Sequence, residues 1–271
     1  MKLPEMRASV RRMWGLLYRH LALYRHSWPR LLELMYWPVL QMCIWGFTAS
    51  FLASRAASPV AIAGGTFLAG VLLWEVALRS QMGFTISFLE ELWSRNLGHV
   101  FVTPLRPWEL VAALVVMGTV RMLTGVLPAI LLAYLLYAYN LFDLGPVIVV
   151  FFMNLMIMGW WVALGVTSLI LRHGMGAENL AWTLLFGLTP FSAVFYPVAI
   201  LPAPLQPVAL ILPSSHVFEG MRAALIQGTV HWDQLLWAFL LNLVWTAAAA
   251  FTFVRQFRHA RVTGALLTIG E

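Results

Sequence analysis

The sequence predicts an all-α membrane protein with six transmembrane helices. Of its 271 residues, 61% are hydrophobic and only 10% are charged, whereas soluble domains carry roughly 25% charged residues. The mean hydropathy of +0.82 agrees with this composition. The apolar residues also fall into six runs, each close to or above the roughly 20 residues that a helix needs to cross the hydrocarbon core. Lipid must therefore cover much of the surface.

An amphipathic helix is predicted before the first apolar run, within residues 1–30. One helical face carries apolar and aromatic residues and the opposite face carries two arginines: Val10, Trp14, Leu17, Leu21 and Tyr24 against Arg12 and Arg19. This pattern is typical of a helix that lies in the membrane interface. A solvated segment beside the membrane is the alternative.

The predicted spans form a single transmembrane domain, 31–254, followed by a tail at 255–271. The six spans are 31–53, 60–89, 110–139, 146–171, 179–201 and 235–254. The second and third are long enough to tilt or to extend beyond the bilayer, and Pro190 and Pro197 interrupt the fifth.

The segment 202–234 is proline-rich and still apolar, with Pro202 and Pro213 among its prolines. Its apolar pieces are too short to cross the bilayer. Backbone that does not span is tolerated at membrane depth where protein buries it. We therefore expect one or two short re-entrant helices on the outer side.

The distribution of basic residues predicts the orientation. If both termini are cytoplasmic, thirteen of the seventeen Lys and Arg residues face the cytoplasm, as the positive-inside rule requires. This predicts a multi-pass protein of the bacterial inner membrane. It also explains the net charge of +6 without a nucleic-acid partner.

The sequence excludes two kinds of chemistry. Lys2 is the only lysine, so the chain has no internal lysine for a phosphate-binding P-loop. Cys43 is the only cysteine, so disulfides within the chain and multi-cysteine metal sites are impossible. We expect no cofactor, no metal and no catalytic residue in this chain. If ATP drives the protein, another chain binds it.

Three ionisable residues lie within predicted spans, where charges are costly and are candidates for function. Glu75 and Arg79 are spaced i,i+4, the favourable order for an intrahelical ion pair. Arg121 could pair with Glu75 or another buried acceptor, or could meet an anionic substrate. For all three residues, a structural role and a role in the substrate path both stay open.

Other acidic residues lie at the ends of spans. Glu33 and Glu109 are at predicted inner ends, where we expect their side chains to reach water. Glu219 and Arg222 are spaced i,i+3 on the predicted re-entrant segment. They could form an ion pair that stabilises an external gate, or an ordinary surface pair.

Tryptophans deep in the first span, Trp37 and Trp45, could stack on sugar rings or apolar drugs. Lipid contact and helix packing explain them equally well.

The loop at 88–113 reads FLEELWSRNLGHVFVTPLRPWELVAA. Glu90 and Glu91 suit a helix N-terminus, and Thr103–Pro104 supply a stop. Trp93 and Leu97 share one helical face, and Arg95 and His99 share another. The eight residues named here are the predicted site for a docking partner: Glu90, Glu91, Trp93, Arg95, Leu97, His99, Thr103 and Pro104.

This loop, together with the segment PFSAVFYPVAILPAPLQPVALILPSSHVFEGMRAALIQG at 190–228, resembles the permeases of ABC exporters of the type-2 class. The resemblance implies a homodimer, or a heterodimer with a close relative, bound to two copies of a separate ATPase that holds ATP and Mg²⁺. It implies that 90–102 is a short cytoplasmic coupling helix that fits a groove on the ATPase. It also places Pro197, Pro202, Pro213, Glu219 and Arg222 at an external gate. Trp93, Asn96 and His99 stand where many relatives have small polar residues, so the substrate stays open.

Two other classes of function compete with an exporter permease. A membrane-embedded enzyme would need clustered acid–base or metal-binding residues, and the sequence has no HExxH motif. A secondary transporter would show broken helices at matching positions in two similar halves. Here only the second half has an obvious break. A non-transporting scaffold with the same fold is a third possibility.

Overall fold

The structure, a computed structural model, describes residues 3–25, 27–55, 59–94 and 105–263. Within these ranges the chain is helical and has no β-strand. The described helices are α1 (Leu3–Arg25), α2 (Trp28–Arg55), α3 (Pro59–Trp93), α4 (Pro107–Tyr137), α5 (Val147–His173), α6 (Leu180–Leu188), α7 (Gln206–Leu210), α8 (Pro213–Gln227) and α9 (Trp232–Thr263).

Five of these helices correspond to the predicted spans at 31–53, 60–89, 110–139, 146–171 and 235–254 to within four residues at each end, with one exception. Helix α9 continues nine residues past 254, into the predicted tail. Of the described helices, α4, α5 and α9 are each long and apolar enough to cross a membrane. The all-α, multi-pass class is therefore confirmed. Six crossings stay a prediction.

Helix α3 lies at the centre of the bundle and packs against α2, α4 and α5, while α9 packs against α5. The core between them is made of large side chains with almost no exposed surface, including Phe84, Phe88 and Phe151. The close approach of α5 to α3 depends on a residue without a side chain. A Cβ placed on Gly159 would lie 2.6 Å from the Ala77 carbonyl oxygen and 2.7 Å from the Ser80 Cβ.

We expect Gly159→Leu to destabilise the bundle, because the added side chain forces α3 and α5 apart. Overpacking of this kind costs about 1–3 kcal/mol. The melting temperature of the detergent-purified protein, followed by tryptophan fluorescence, measures the effect. Gly165→Leu on the same helix is the matched control, since its Cβ meets no heavy atom within 4 Å. Equal melting temperatures for the two variants would contradict this packing.

The outward faces of the long helices are apolar. Leu127, Leu131 and Leu135 follow one another at one-turn spacing in α4 and are 54–66% exposed. Phe251 in α9 is 68% exposed. Such continuous exposed apolar surface is normal only where lipid or another protein covers it.

The fifth predicted span, 179–201, is not one continuous helix, in agreement with the interruption expected at Pro190. Helix α6 ends at Leu188 and a 3₁₀ turn follows at Thr189–Phe191. Pro190 ends the α-helical pattern because it lacks the N–H that the helix ladder needs. Ala193 then adopts a left-handed conformation with φ of 57°. Its carbonyl is held by Arg222 Nη1 at 2.8 Å.

The next segment contains two short helices, α7 and α8, as predicted for 202–234. The turn between them lies beside the interior of α9, because the Ile211 carbonyl accepts a hydrogen bond from Trp245 Nε1 at 3.0 Å. Trp245 is thirteen residues past the start of α9, about 20 Å along an α-helix. The re-entrant placement of this segment stays a prediction.

Candidate functional site: a buried charge cluster at the α1 end

The last turn of α3 carries the first residues of the predicted docking site. Glu90 and Glu91 lie inside α3, which continues to Trp93, so they do not begin a new helix at residue 90. That part of the prediction was wrong. Basic side chains of α1 and α4 bind both carboxylates instead. Arg95, Leu97, His99, Thr103 and Pro104, with the rest of the predicted coupling helix 90–102, lie outside the described residues.

Six side chains form a cluster that joins α1 to the last turn of α3 and the middle of α4. We call it the α1 cluster: Arg19, His20, Tyr24, Glu90, Glu91 and Arg121. Arg19 Nη1 binds Glu91 Oε2 at 3.0 Å. His20 lies between the two carboxylates, 3.3 Å from Glu90 Oε2 through Nδ1 and 3.3 Å from Glu91 Oε1 through Nε2. The cluster therefore brings two carboxylates together with two arginines, and the imidazole of His20 lies between the carboxylates.

Arg121 binds Glu90, not Glu75. Its Nη2 lies 2.6 Å from Glu90 Oε2, and its side chain is only 2% exposed. The guanidinium carbon lies 4.9 Å from the centre of the Tyr24 ring, a cation–π distance. Burial raises the pKa of Tyr24 to about 12, although the nearby Arg121 charge lowers it. The phenol therefore stays neutral near neutral pH.

A second ion pair joins α1 to the start of α4. Arg12 binds both carboxylate oxygens of Glu109, at 2.9 Å through Nε and 2.5 Å through Nη2. Glu109 also accepts the backbone N–H of Arg106 at 3.0 Å, which suits a carboxylate in the first turn of a helix. The hydrogen bond to Glu109 raises the pKa of Arg12 above its usual value. Glu109 is fully buried, so the expectation that it reaches water was wrong.

Arg12 and Arg19 of α1 therefore bind carboxylates of the bundle, although 42% of the Arg19 side chain stays exposed. Val10, Trp14 and Tyr18 lie one turn apart on another face of α1 and are 54–63% exposed. An exposed aromatic stripe with a charged face anchored to the bundle fits a helix in the membrane interface.

Trp93 presents its ring at the surface of the same end of the bundle. It is 46% exposed, and its indole N–H donates to Glu178 Oε2 at 3.2 Å. This bond fixes the ring against the loop between α5 and α6. Trp93 is thus an exposed aromatic side chain held in one orientation.

The remaining predicted site residues fall into two places. Glu75 and Arg79 form the predicted pair, with 2.8 Å between Arg79 Nε and Glu75 Oε2. Glu219 and Arg222 also pair, at 3.0 Å, and Glu219 accepts the N–H of Val198 at 2.9 Å. Together they hold the chain around Pro197 against α8. Pro202 lies in the connection before α7, and Pro213 is the first residue of α8.

Sequence reasoning missed His20, which is 1% exposed at the centre of the α1 cluster. One sequence pattern could have indicated its role: His20 and Tyr24 are spaced i,i+4, so both point to the same side of α1. What the sequence could not show is that this side faces the carboxylates of α3.

Taken together, the fold and this site define a polytopic helical membrane protein whose interfacial helix is anchored by buried charges to the central helices. The sequence matches the ABC-2 type transporter family over residues 11–226, and the chain belongs to that family. It is therefore a membrane-embedded permease component of an ABC transporter, and permeases of this family generally partner with an ATPase subunit. No curated protein matches the sequence significantly.

Proposed function

We propose that this chain is the permease subunit of an ATP-driven exporter in the bacterial inner membrane, with both termini in the cytoplasm. It acts as a homodimer, or as a heterodimer with a close relative, on two copies of a separate ATPase that carries ATP and Mg²⁺. It moves a glycan, a glycolipid or other lipid, or a hydrophobic drug out of the cytoplasm by alternating access.

The observation that carries this proposal is the α1 cluster. Three helices that are distant in sequence meet there through buried ion pairs, so a displacement of the last turn of α3 must also move α1 and α4. Directly next to this rigid junction, α3 presents the exposed ring of Trp93. A motor protein that grips the segment after Trp93 would therefore move three helices together.

Co-purification with an ATPase subunit tests the proposal. We expect the affinity-tagged permease, co-expressed with its ATPase, to retain that subunit in detergent and to change its rate of ATP hydrolysis. Replacing the P-loop lysine of the ATPase should abolish transport without dissociating the complex. Failure to retain any ATPase, or catalytic turnover by the permease alone, would overturn the proposal.

The orientation has its own test. In a Cys43→Ser chain, single cysteines introduced as Arg11→Cys and Thr229→Cys should react with a membrane-impermeant maleimide from opposite sides. We expect Thr229→Cys to react in intact spheroplasts and Arg11→Cys only after the membrane is opened. The reverse result would place the α1 cluster on the outer side of the membrane, where a cytoplasmic ATPase could not reach it.

A further inference from the structure

His20 is a buried histidine whose two ring nitrogens both face carboxylates. It is 1% exposed, and so is Glu91. Its Nδ1 lies 3.3 Å from Glu90 Oε2, and its Nε2 lies 3.3 Å from Glu91 Oε1. Among the described residues, neither ring nitrogen has a hydrogen bond of regular geometry. Because buried polar atoms without a hydrogen bond are costly, the protonation of this site determines what it contributes.

The number of protons decides whether both contacts of the ring are favourable. A neutral imidazole carries one N–H, and an ionised carboxylate can only accept a hydrogen bond. With a neutral ring, one nitrogen of His20 donates to one carboxylate, while the lone pair of the other nitrogen faces the second carboxylate. One additional proton, on the ring or on Glu91, turns both contacts into donor–acceptor contacts. The site is therefore complete only with that proton.

The charges in contact with the site favour the additional proton. Arg121 of α4 binds Glu90 and is 2% exposed. Arg19 binds Glu91, but its side chain is 42% exposed, so water screens its charge. The groups shielded from water are thus two carboxylates and one arginine. One proton at His20 brings this set to neutrality.

The other ionisable groups that face the site do not replace this proton. Tyr24 on α1 is neutral near neutral pH, because burial raises the pKa of its phenol. Arg30 and Glu33 of α2 line a cavity of about 300 Å³ together with Tyr24, but both are exposed and they are opposite in sign. Arg12 and Glu109 bind each other two turns along α1.

The same cavity gives the proton a route to water. Glu90 is among its lining residues, and 16% of the Glu90 side chain is exposed. The exposed side chains of Arg30 and Glu33 also line the cavity, so it reaches the surface. A proton can therefore exchange with the solvent while the bundle stays folded.

We propose that the α1 cluster is a proton-binding site, in which one proton held by His20 between Glu90 and Glu91 keeps α1 against the last turn of α3. We call this the bound form. When the proton leaves, a lone pair of the ring faces a carboxylate, and α1 separates from α3 in a released form. The site itself needs this chain alone, whereas its use in coupling to an ATPase rests on the proposed function.

The pH dependence of the position of α1 tests the site. In a Cys43→Ser chain, spin labels on Arg11→Cys in α1 and Arg258→Cys in α9, both exposed positions, report the separation of these helices by pulsed electron paramagnetic resonance. The permease in nanodiscs, alone and with its ATPase, is measured from pH 5.5 to 8.5, a range around the value of about 6.5 for a free imidazole.

The bound form holds one more proton than the released form. Its stability therefore falls as the pH rises, and the ratio of bound to released form should fall by up to about tenfold per pH unit. A distance distribution that is the same at every pH would overturn the proposal.

Three substitutions separate proton binding from packing. His20→Lys supplies a positive charge throughout this pH range and should give the bound distance at every pH. His20→Gln cannot take up the proton and should give the released distance at every pH. Glu91→Gln offers an amide N–H to the second ring nitrogen and should keep the bound distance at every pH. His231→Gln, an exposed histidine before α9, is the control and should respond to pH as the parent chain does.

A histidine that only fills space would give the same distances in His20→Lys and His20→Gln. That result, or a pH response of Glu91→Gln equal to that of the parent chain, would overturn the proton site. Binding of the ATPase to the same samples separates this failure from that of the permease function. If the ATPase binds and the distance ignores pH, only the proton site falls. If no ATPase binds, the permease proposal falls, while the permease alone still decides the proton site.

Discussion

Replacing Glu90 with alanine should destabilise the protein more than any other single change in the α1 cluster. Arg121 is 2% exposed and would lose the carboxylate to which it binds. Removing one partner of a buried ion pair costs about 3–5 kcal/mol, because the other charge stays buried. For a chain of this size the melting temperature should fall by roughly 10 °C. Tryptophan fluorescence of the detergent-purified protein during heating measures the shift.

Removing the other partner of this ion pair, Arg121, should destabilise the protein less. In Arg121→Met the carboxylate of Glu90 still lies 3.3 Å from His20, and Met fills a similar volume. The double variant Glu90→Leu, Arg121→Met should recover most of the stability, because no isolated charge remains. Asp143→Asn, in an exposed turn, is the control. A double variant as unstable as Glu90→Ala would contradict the ion-pair explanation.

Trp93→Ala should weaken binding of the ATPase by about 2 kcal/mol, roughly 30-fold, as expected for an aromatic residue at the centre of an interface. ATP-driven transport should fall with it, while membrane insertion and melting temperature stay close to those of the unaltered protein. The physical reason is that the ring is 46% exposed and contributes little to the core. Affinity is measured by titrating the ATPase onto the permease in nanodiscs.

Two variants define what Trp93 contributes. Trp93→Phe keeps an aromatic ring but removes the indole N–H that binds Glu178, so its effect isolates the orientation of the ring. Trp232→Ala removes a tryptophan that is 63% exposed at the start of α9, the end away from the α1 cluster, and should leave ATPase affinity unchanged. If Trp93→Ala bound the ATPase normally, Trp93 would not be part of the docking surface.

Both predictions concern one junction, and they probe different properties of it. Glu90 and Arg121 set the stiffness with which α3 and α4 move together. Trp93 sets the affinity of the proposed ATPase for the end of α3. A permease that binds the ATPase normally but lacks the Glu90–Arg121 ion pair would stimulate ATP hydrolysis without transport. A permease that keeps this ion pair but binds the ATPase weakly would lose both the stimulation of hydrolysis and transport.

The amino-acid sequence alone determined the class of protein and the positions of the long helices. Hydrophobic content and run length depend only on local composition, so α2, α3, α4, α5 and the start of α9 could be predicted to within four residues. The Glu75–Arg79 pair could also be predicted, because both partners lie on one helix and the i,i+4 spacing brings them together. The family resemblance was likewise carried by local motifs.

The tertiary structure alone decided which charges meet. Arg12 with Glu109, Arg19 with Glu91 and Arg121 with Glu90 join residues on different helices, and helical periodicity says nothing about how one helix is rotated against another. The same limit explains two corrections beside α1. Glu109, expected to reach water, is buried, and Glu90 and Glu91, expected to start a helix, lie in the last turn of α3. Charges buried between helices are stable only as pairs, and only packing places the partners within reach.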